Sequence, residues 1–343
     1  MEHTSFAYYK LPNESQYHYL GSNCTPLRLH SLSAINETHK GFLISPFDTE
    51  VLPILLISPN AEQSFPLPTS APTIVPMQGE SEPVDCTYLQ HFKACEELLT
   101  NDALQKIVLA HRFDTSQEFC LNHHDLFLSA ATEFPKSYVA LWHTAESGTW
   151  LTITPEVLLE NEAGEKWHTV ALAGTMPKGE CQWSEKNKME QQFVVDYIAS
   201  VLSPRTSELK ISEVQTIEAA QLLHLRTDFL FTTKANIGEI LHHLHPTPAV
   251  CGLPKQEAFE AIQRIESNPR KYYAGFSGPL QHTNNGTHLY VTLRCAHFGE
   301  QTNIEYYAGG GLIKGSKAHE EWNEVCTKKK TAECIVTNHI SIP

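Results

Sequence analysis

Tyr307-Ala308-Gly309-Gly310-Gly311-Leu312-Ile313-Lys314-Gly315-Ser316, followed by Glu321-Trp322-Asn323-Glu324 and Lys328, is the stretch on which the reading of this chain turns. It reads as a glycine-rich turn running into a helix. On that helix Glu321, Glu324 and Lys328 fall at i, i+3 and i+7 and share one face at 3.6 residues per turn. Two acids and a base on one stripe are poor core material. Beside a flexible turn with N–H groups at hand, they suit a divalent cation and an anionic ligand. A solvated helix with Glu324 and Lys328 as a surface i,i+4 ion pair fits the same residues equally well.

Upstream of this stretch, strands and helices mix without regular β-α-β alternation. Tyr88, Phe92, Cys95 and Leu99 recur at a helical period, and the pattern stops near Asn101-Asp102. Lys106 to Ala110 reads as a strand, Trp150 to Leu159 as a second, and His168 to Leu172 as a third. Pro155 interrupts the second and implies a strand end or bulge. Ser184 is placed as an N-cap, with Met189, Phe193, Tyr197 and Val201 as the apolar stripe and Glu190 on its flank. Further strands are expected at Leu289 to Cys295 and Thr302 to Tyr307. The mixture favours an α+β layer sandwich over a doubly wound sheet.

Residues 1–85 read as a strand-rich N-terminal segment ending in a Pro-, Ser-, Glu- and Gln-rich linker over 59–84, packed on the main domain. Residues 86–343 form that main domain. Apolar content of 41% and charged content of 19% are those of a folded globular chain. The net charge of −14 argues against nucleic-acid binding, which needs clustered Lys and Arg. It also means that a dianionic substrate requires a local cation, because the global field repels it. No signal peptide or membrane span is visible. Nine cysteines, without a C-x-x-C pair, suit reduced thiols and a cytoplasmic location.

Single residues are ambiguous. Lys106 opens an apolar strand, where a snorkelling lysine is common. Glu156 follows Pro155, where a surface carboxylate is the ordinary outcome. Together they form the pair that acid–base chemistry at neutral pH requires. His245-Pro246-Thr247-Pro248 is a stiff, turned segment that could present His245 to a ligand, and Arg294, closing a strand, could fork a carboxylate. A metal cluster at His242-His243 lacks further ligands at sensible spacing. His123-His124 reads as a solvated loop pair. No Walker A loop, Rossmann fingerprint or nucleophile elbow is present.

In their order, these segments resemble the chorismate-utilising enzymes, and among them the isochorismate synthases. The matching stretches are Lys106-Ile-Val-Leu-Ala-His-Arg112, Thr154-Pro-Glu156, Leu172-Ala-Gly-Thr175, Ser184-Glu-Lys-Asn-Lys-Met-Glu190, His245-Pro-Thr-Pro-Ala-Val250, Tyr273-Ala-Gly275, Arg294, Tyr307-Ala-Gly309, and Glu321-x-x-Glu324 with Lys328. The resemblance covers roughly residues 86–335. It implies an α+β fold, a large α/β/β/α sandwich of two packed antiparallel sheets with outer helices, and it makes 86–343 a chorismate-binding catalytic domain. It implies Mg²⁺ on Glu190 and Glu324, with Glu321 acting directly or through water, and the metal in turn holding the ring carboxylate. Arg294, Tyr307 and N–H groups near Gly309 and Gly311 would take the enolpyruvyl carboxylate, with Lys328 adding charge. Leu172, Ala173, Gly174, Thr175 and His245 would line the ring. Lys106 would activate water for attack at C2, and Glu156 would protonate the departing C4 hydroxyl.

The lysine at 106 separates this chain from its ammonia-using relatives, which lack it. Aminodeoxychorismate synthases carry a lysine where Ala173 stands here, and no fused glutaminase is visible, so no glutaminase subunit is expected and the protein should be a monomer. Salicylate synthases, which add pyruvate elimination, are the nearest rival. A silent chorismate-binding scaffold would lack Lys106 or Glu156, and both are present. Thr152, Cys251 and Cys295 depart from the usual residues of their motifs and put loop geometry in question rather than reaction class.

Overall fold

A computed structural model describes residues 3–68, 82–116, 122–161, 166–179, 182–219, 222–281, 286–299 and 303–339. Its strands form two large sheets in which every pairing is antiparallel. The first runs, edge to edge, Gly252–Leu253, Lys106–Ser116, Asn303–Ile313, Cys295–Phe298, Gly148–Thr154, Tyr138–Thr144, Ser5–Lys10, Gln16–Ser22 and Ala61–Pro66. The second runs Glu208–Ile211, Leu222–Thr232, Lys166–Pro177, Val157–Asn161, Thr287–Val291, Phe276–Leu280, Gly41–Ser45, Ile54–Ile57 and Leu27–Leu29. Gln215–Ala219 also pairs with Leu222–Thr232. The fold is α+β, two packed antiparallel sheets with helices outside. No helix among the described residues is long and apolar enough to cross a membrane.

Alternation puts one face of each sheet into a shared core. Trp142, Trp150, Tyr138, Phe42, Phe276 and Tyr290 are fully or almost fully buried there. The helices His123–Glu133 and Ala318–Thr337 cover the other face of the first sheet, over a second cluster that includes Phe127, Leu141, Leu151 and Ile335. Glu185–Leu202 packs along Lys166–Pro177 and Leu222–Thr232.

Pro155 does more than end a strand. Gly148–Thr154 belongs to the first sheet and Val157–Asn161 to the second, so Pro155-Glu156 is the point where the chain crosses between them. The segment from Thr292 to Arg294 crosses back, between Thr287–Val291 and Cys295–Phe298. The two crossings lie side by side. Val291 N–H donates to Glu156 O at 3.0 Å, and Thr152 Oγ1 donates to Leu293 O at 2.8 Å. The threonine that departs from the family motif therefore staples one crossing to the other.

Four local expectations change. Gly309-Gly310-Gly311 is not a turn but the interior of the strand Asn303–Ile313, and the chain turns at Lys314-Gly315, where Gly315 takes φ +90°. The linker begins with the edge strand Ala61–Pro66, paired with Gln16–Ser22, while residues 69–81 lie outside the described residues. In the helix Glu185–Leu202 the buried face is Glu190, Gln191, Val194, Ile198 and Val201, and Met189 is half exposed. The face is rotated because Gln191 is drawn inwards, accepting from Ala173 N–H and donating to Ala171 O. His123 and His124 open a helix, and His124 Nε2 pairs with Tyr17 Oη at 2.9 Å.

Candidate active site

Where the sheets part at the two crossings, a cleft opens. Glu156 and Arg294 enter it from the crossings themselves. Leu172, Ala173, Gly174 and Thr175 form one wall, on a strand that bulges between Ala173 and Thr175 where Gly174 takes φ +67°. Glu190 reaches it from the helix Glu185–Leu202, Lys328 from Ala318–Thr337, and Gly309 and Gly311 form its floor.

Two of the three glycines are explained by what lies above them. A Cβ on Gly311 would sit 2.0 Å from Glu190 Oε1, and one on Gly309 would sit 2.8 Å from Tyr273 Oη. A Cβ on Gly310 would make only ordinary contact, 3.7 Å from Glu321 Oε2 and Glu324 Oε1. The strand also leaves donors facing outwards. Val108 and Ala110, opposite Gly311 and Gly309, spend their N–H groups on Cys251 O and Glu266 Oε1 at the far edge. Gly311 and Gly309 therefore form non-hydrogen-bonded pairs, and their backbone groups point to the other flank. On that flank the neighbouring strand pairs no further than Tyr307, because its chain has crossed to the other sheet at Arg294.

Lys106 is fully buried, and its Nζ lies 3.0 Å from Glu190 Oε1. The contact is close enough for an ion pair, but its angle is too poor for a directed hydrogen bond, and no aligned acceptor faces Nζ among the described residues. Lys106 does not itself form the cleft surface; it stands behind Glu190 and Gly311. Burial pushes the Glu156 carboxyl up to about 7, against the opposing pull of Lys106, Lys328 and Arg294. Arg294 is buried, held at φ +46°, and burial draws its guanidinium down to about 10. Its Nη2 donates to His224 Nε2 at 2.8 Å, while His224 Nδ1 lies 3.3 Å from Gly174 O. Burial, with Arg294 and Lys328 nearby, drives His224 well below its ordinary value. The imidazole is therefore neutral, with its proton on Nδ1, and it aims the arginine at the cleft.

The carboxylates each hold a lysine. Glu324 Oε1 accepts from Lys328 Nζ at 2.7 Å, and the same ammonium donates to Gly309 O at 3.0 Å. Glu321, 2% exposed, accepts from Lys186. Burial pushes Glu321 up to about 7 against the pull of Lys186, with Glu324 adding to the rise. Glu324 sits below its ordinary value: burial pushes it up, and Lys328, Lys186 and Thr175 together outweigh that. No cluster of three or more metal-holding side chains is already gathered among the described residues. The donor chemistry nevertheless fits a small hard cation. These are carboxylate oxygens, Lys186 faces Glu190, Glu321 and Glu324 alike, and magnesium needs only one or two carboxylates alongside substrate and water.

Two expected residues stand elsewhere. His245 is buried behind the cleft with Nε2 3.0 Å from Pro46 O, and burial pushes its imidazole down to about 3. It ties the cis-Pro246 segment to the N-terminal strands instead of lining the ring. Tyr307 donates to Glu305 Oε2 at 2.7 Å and stacks on Tyr273, whose ring centroid is 5.6 Å away. Tyr307 shares the strand face of Gly309 and Gly311 but lies further back along it, stacked on Tyr273, and Tyr273 lines the cleft instead. Tyr273, His224 and Lys186 carry no sequence signal of their own beyond lying in or near matched stretches.

The architecture is that of enzymes that bind chorismate. A crystal structure of DhbC from Bacillus anthracis superposes with a TM-score of 0.82 at 25% identity, covering 97% of this chain and 96% of that one. MenF, the menaquinone-specific isochorismate synthase from Escherichia coli, shares the fold at TM-score 0.79 and 21% identity, over 98% of this chain and 89% of its own. Residues 60–333 match the family described as chorismate binding enzyme, and the chain belongs to that family. Isochorismate synthase EntC of Escherichia coli (strain K12) is 29% identical over 311 residues, 83% of this chain and 78% of its own length. Isochorismate synthase MenF of Pasteurella multocida (strain Pm70) is 31% identical over 238 residues, 65% of this chain and 54% of its own.

Proposed function

We propose that this protein is an isochorismate synthase, which isomerises chorismate to isochorismate with Mg²⁺. The observation that carries the reading is Glu156. It is a buried carboxyl half-protonated near neutrality, opening on the same cleft as Arg294 and Lys328, with Lys106 as its foremost positive neighbour. A residual negative charge there would repel a dianion. A proton there can be donated.

In this reading Arg294, aimed by His224, takes the enolpyruvyl carboxylate, helped by the outward N–H groups of Gly309 and Gly311 and by the charge of Lys328. The ring lies along Leu172 to Thr175. Glu190 and Glu324 would hold Mg²⁺, with Glu321 beside them. When bound, the ion neutralises the ring carboxylate and fixes it in place. Lys106, an ammonium against Glu190 in the resting site, serves as base once it has given up a proton, and takes one from water as that oxygen bonds to C2. The ring double bonds shift, the C4–O bond breaks, and Glu156 gives its proton to the departing hydroxyl, so water is consumed and released in equal number. Two groups poised to exchange protons across one ring is the arrangement that acid–base catalysis needs. Residues 86–343 act as the catalytic domain, and the strands between Ser5 and Pro66 complete its sheets. The free thiols of all described cysteines support a reducing, cytoplasmic location.

Product analysis tests this. Purified protein with chorismate and Mg²⁺ should yield isochorismate up to a chorismate–isochorismate equilibrium, and should return chorismate when supplied with isochorismate. Pyruvate should stay near background, and ammonium salts should give no aminated product even at high pH. Stoichiometric pyruvate with salicylate would move the assignment to salicylate synthase.

The glycine floor supplies a second test. Gly311→Ala is expected to keep the fold, because the atom its Cβ meets is the mobile end of Glu190. It should push that carboxylate off Lys106 and out of place, lowering turnover by ~10²-fold, the scale of an ångström-sized misplacement. Near-normal turnover in a folded variant would show that the position of Glu190 does not matter.

A further inference from the structure

Lys186 stands in the first turn of the helix Glu185–Leu202, at the end where the helix dipole favours acids, so local helix physics gives no reason for a cation there. Its reason is tertiary. Its Nζ donates to the buried carboxylate of Glu321, and Glu190 and Glu324 are the other carboxylates that face it. The three glutamates that face Lys186 are thus matched one to one by lysines: Glu190 with Lys106, Glu324 with Lys328, Glu321 with Lys186. Lys106 and Lys328 have further work at the cleft. Lys186 has no place on the cleft surface, and its side chain is 30% exposed, so it can withdraw to solvent on its flexible stem.

Resting on the metal reading above, we infer that Lys186 is a tethered counter-ion: it holds the carboxylates together in the metal-free protein and competes with Mg²⁺ for Glu321 and Glu324. Metal entry is then an exchange, a dication in and an ammonium out. The affinity for the ion is set partly by how readily Lys186 leaves. Buried like charges cannot remain close together unneutralised in a metal-free site, and the Lys186 ammonium is a side-chain cation that faces all three.

The test is a thermal-midpoint titration with MgCl₂ at constant ionic strength, without substrate, on the wild type, Lys186→Met and Lys186→Arg, with Lys186→Gln as a second neutral variant. In EDTA the neutral variants should melt lower than the wild type. Added Mg²⁺ should stabilise them more, with the half-maximal concentration lower by roughly fivefold, the scale of a partly exposed ion pair. Lys186→Arg should behave as the wild type. If the wild type responds to Mg²⁺ and both neutral variants respond at the same or higher concentration, the competition is overturned and the metal reading stands. If no protein responds and chorismate is isomerised in EDTA, the metal reading and this inference fall together.

Discussion

Lys106→Ala and Glu156→Gln are each expected to lower turnover of chorismate by ~10²–10⁴-fold, the range of a positioned general base or acid, while circular dichroism stays native. Each supplies one half of the proton traffic, and neither contributes apolar burial to the core. The two should differ in pH dependence. In the wild type the forward rate should fall as pH rises through about 7, because a carboxyl raised by burial is protonated below that value and ionised above it. Glu156→Gln should abolish that limb in whatever activity remains, and Lys106→Ala should keep it. The same shift has a stability sign. A carboxyl whose folded value lies above its unfolded one favours the folded state fully below the unfolded value, and loses that contribution as pH rises towards about 7. Losses below tenfold in either variant would remove the role assigned to it.

Glu190→Ala and Glu324→Ala should each raise the Mg²⁺ requirement more than tenfold and weaken chorismate binding in step, because ion and ring carboxylate bind as a unit. Their costs to stability should separate them. Removing Glu190 leaves the Lys106 ammonium fully buried without its partner, a change that costs about 3 kcal/mol or more. Removing Glu324 leaves Lys328 at the cleft wall, still bonded to Gly309 O and able to meet solvent. Glu190→Ala should therefore melt lower than Glu324→Ala in EDTA. Calorimetry showing unchanged Mg²⁺-dependent chorismate affinity in both variants would exclude them as ligands.

The residues of the cleft were legible in the sequence to different degrees, for identifiable reasons. Glu156 could be singled out because Pro155 breaks an alternating run, and a proline inside a strand pattern demands a structural event. What the event is, a crossing between two sheets, is a property of the partners on either side, Cys295–Phe298 on one and Thr287–Val291 on the other. The glycines at 309–311 were visible as an anomaly and misread as a turn, since glycine serves both flexible backbone and close approach. Only the positions of Glu190 and Tyr273 above them show that absent side chains, not backbone freedom, are the reason. His245 and Tyr307 lie in matched stretches yet do not line the cleft, one held to Pro46 and the other to Glu305.

Periodicity and residue type act over a few neighbours along the chain, so the sequence by itself determined the helices at 86–100 and 318–337, the alternating strands, the absence of a regular β-α-β repeat and the acid–base stripe on the last helix. Apart from the i,i+4 pair Glu324 and Lys328, tertiary structure decided which charges of the cleft meet. Lys106 finds Glu190, Arg294 finds His224, and Lys186 finds Glu321 across segments far apart in sequence, through strand register and crossing points. Burial there, rather than residue identity, raises Glu156 into the range where it can give up a proton near neutral pH, because the energy of a charge depends on the solvent removed around it and on the partners brought within reach.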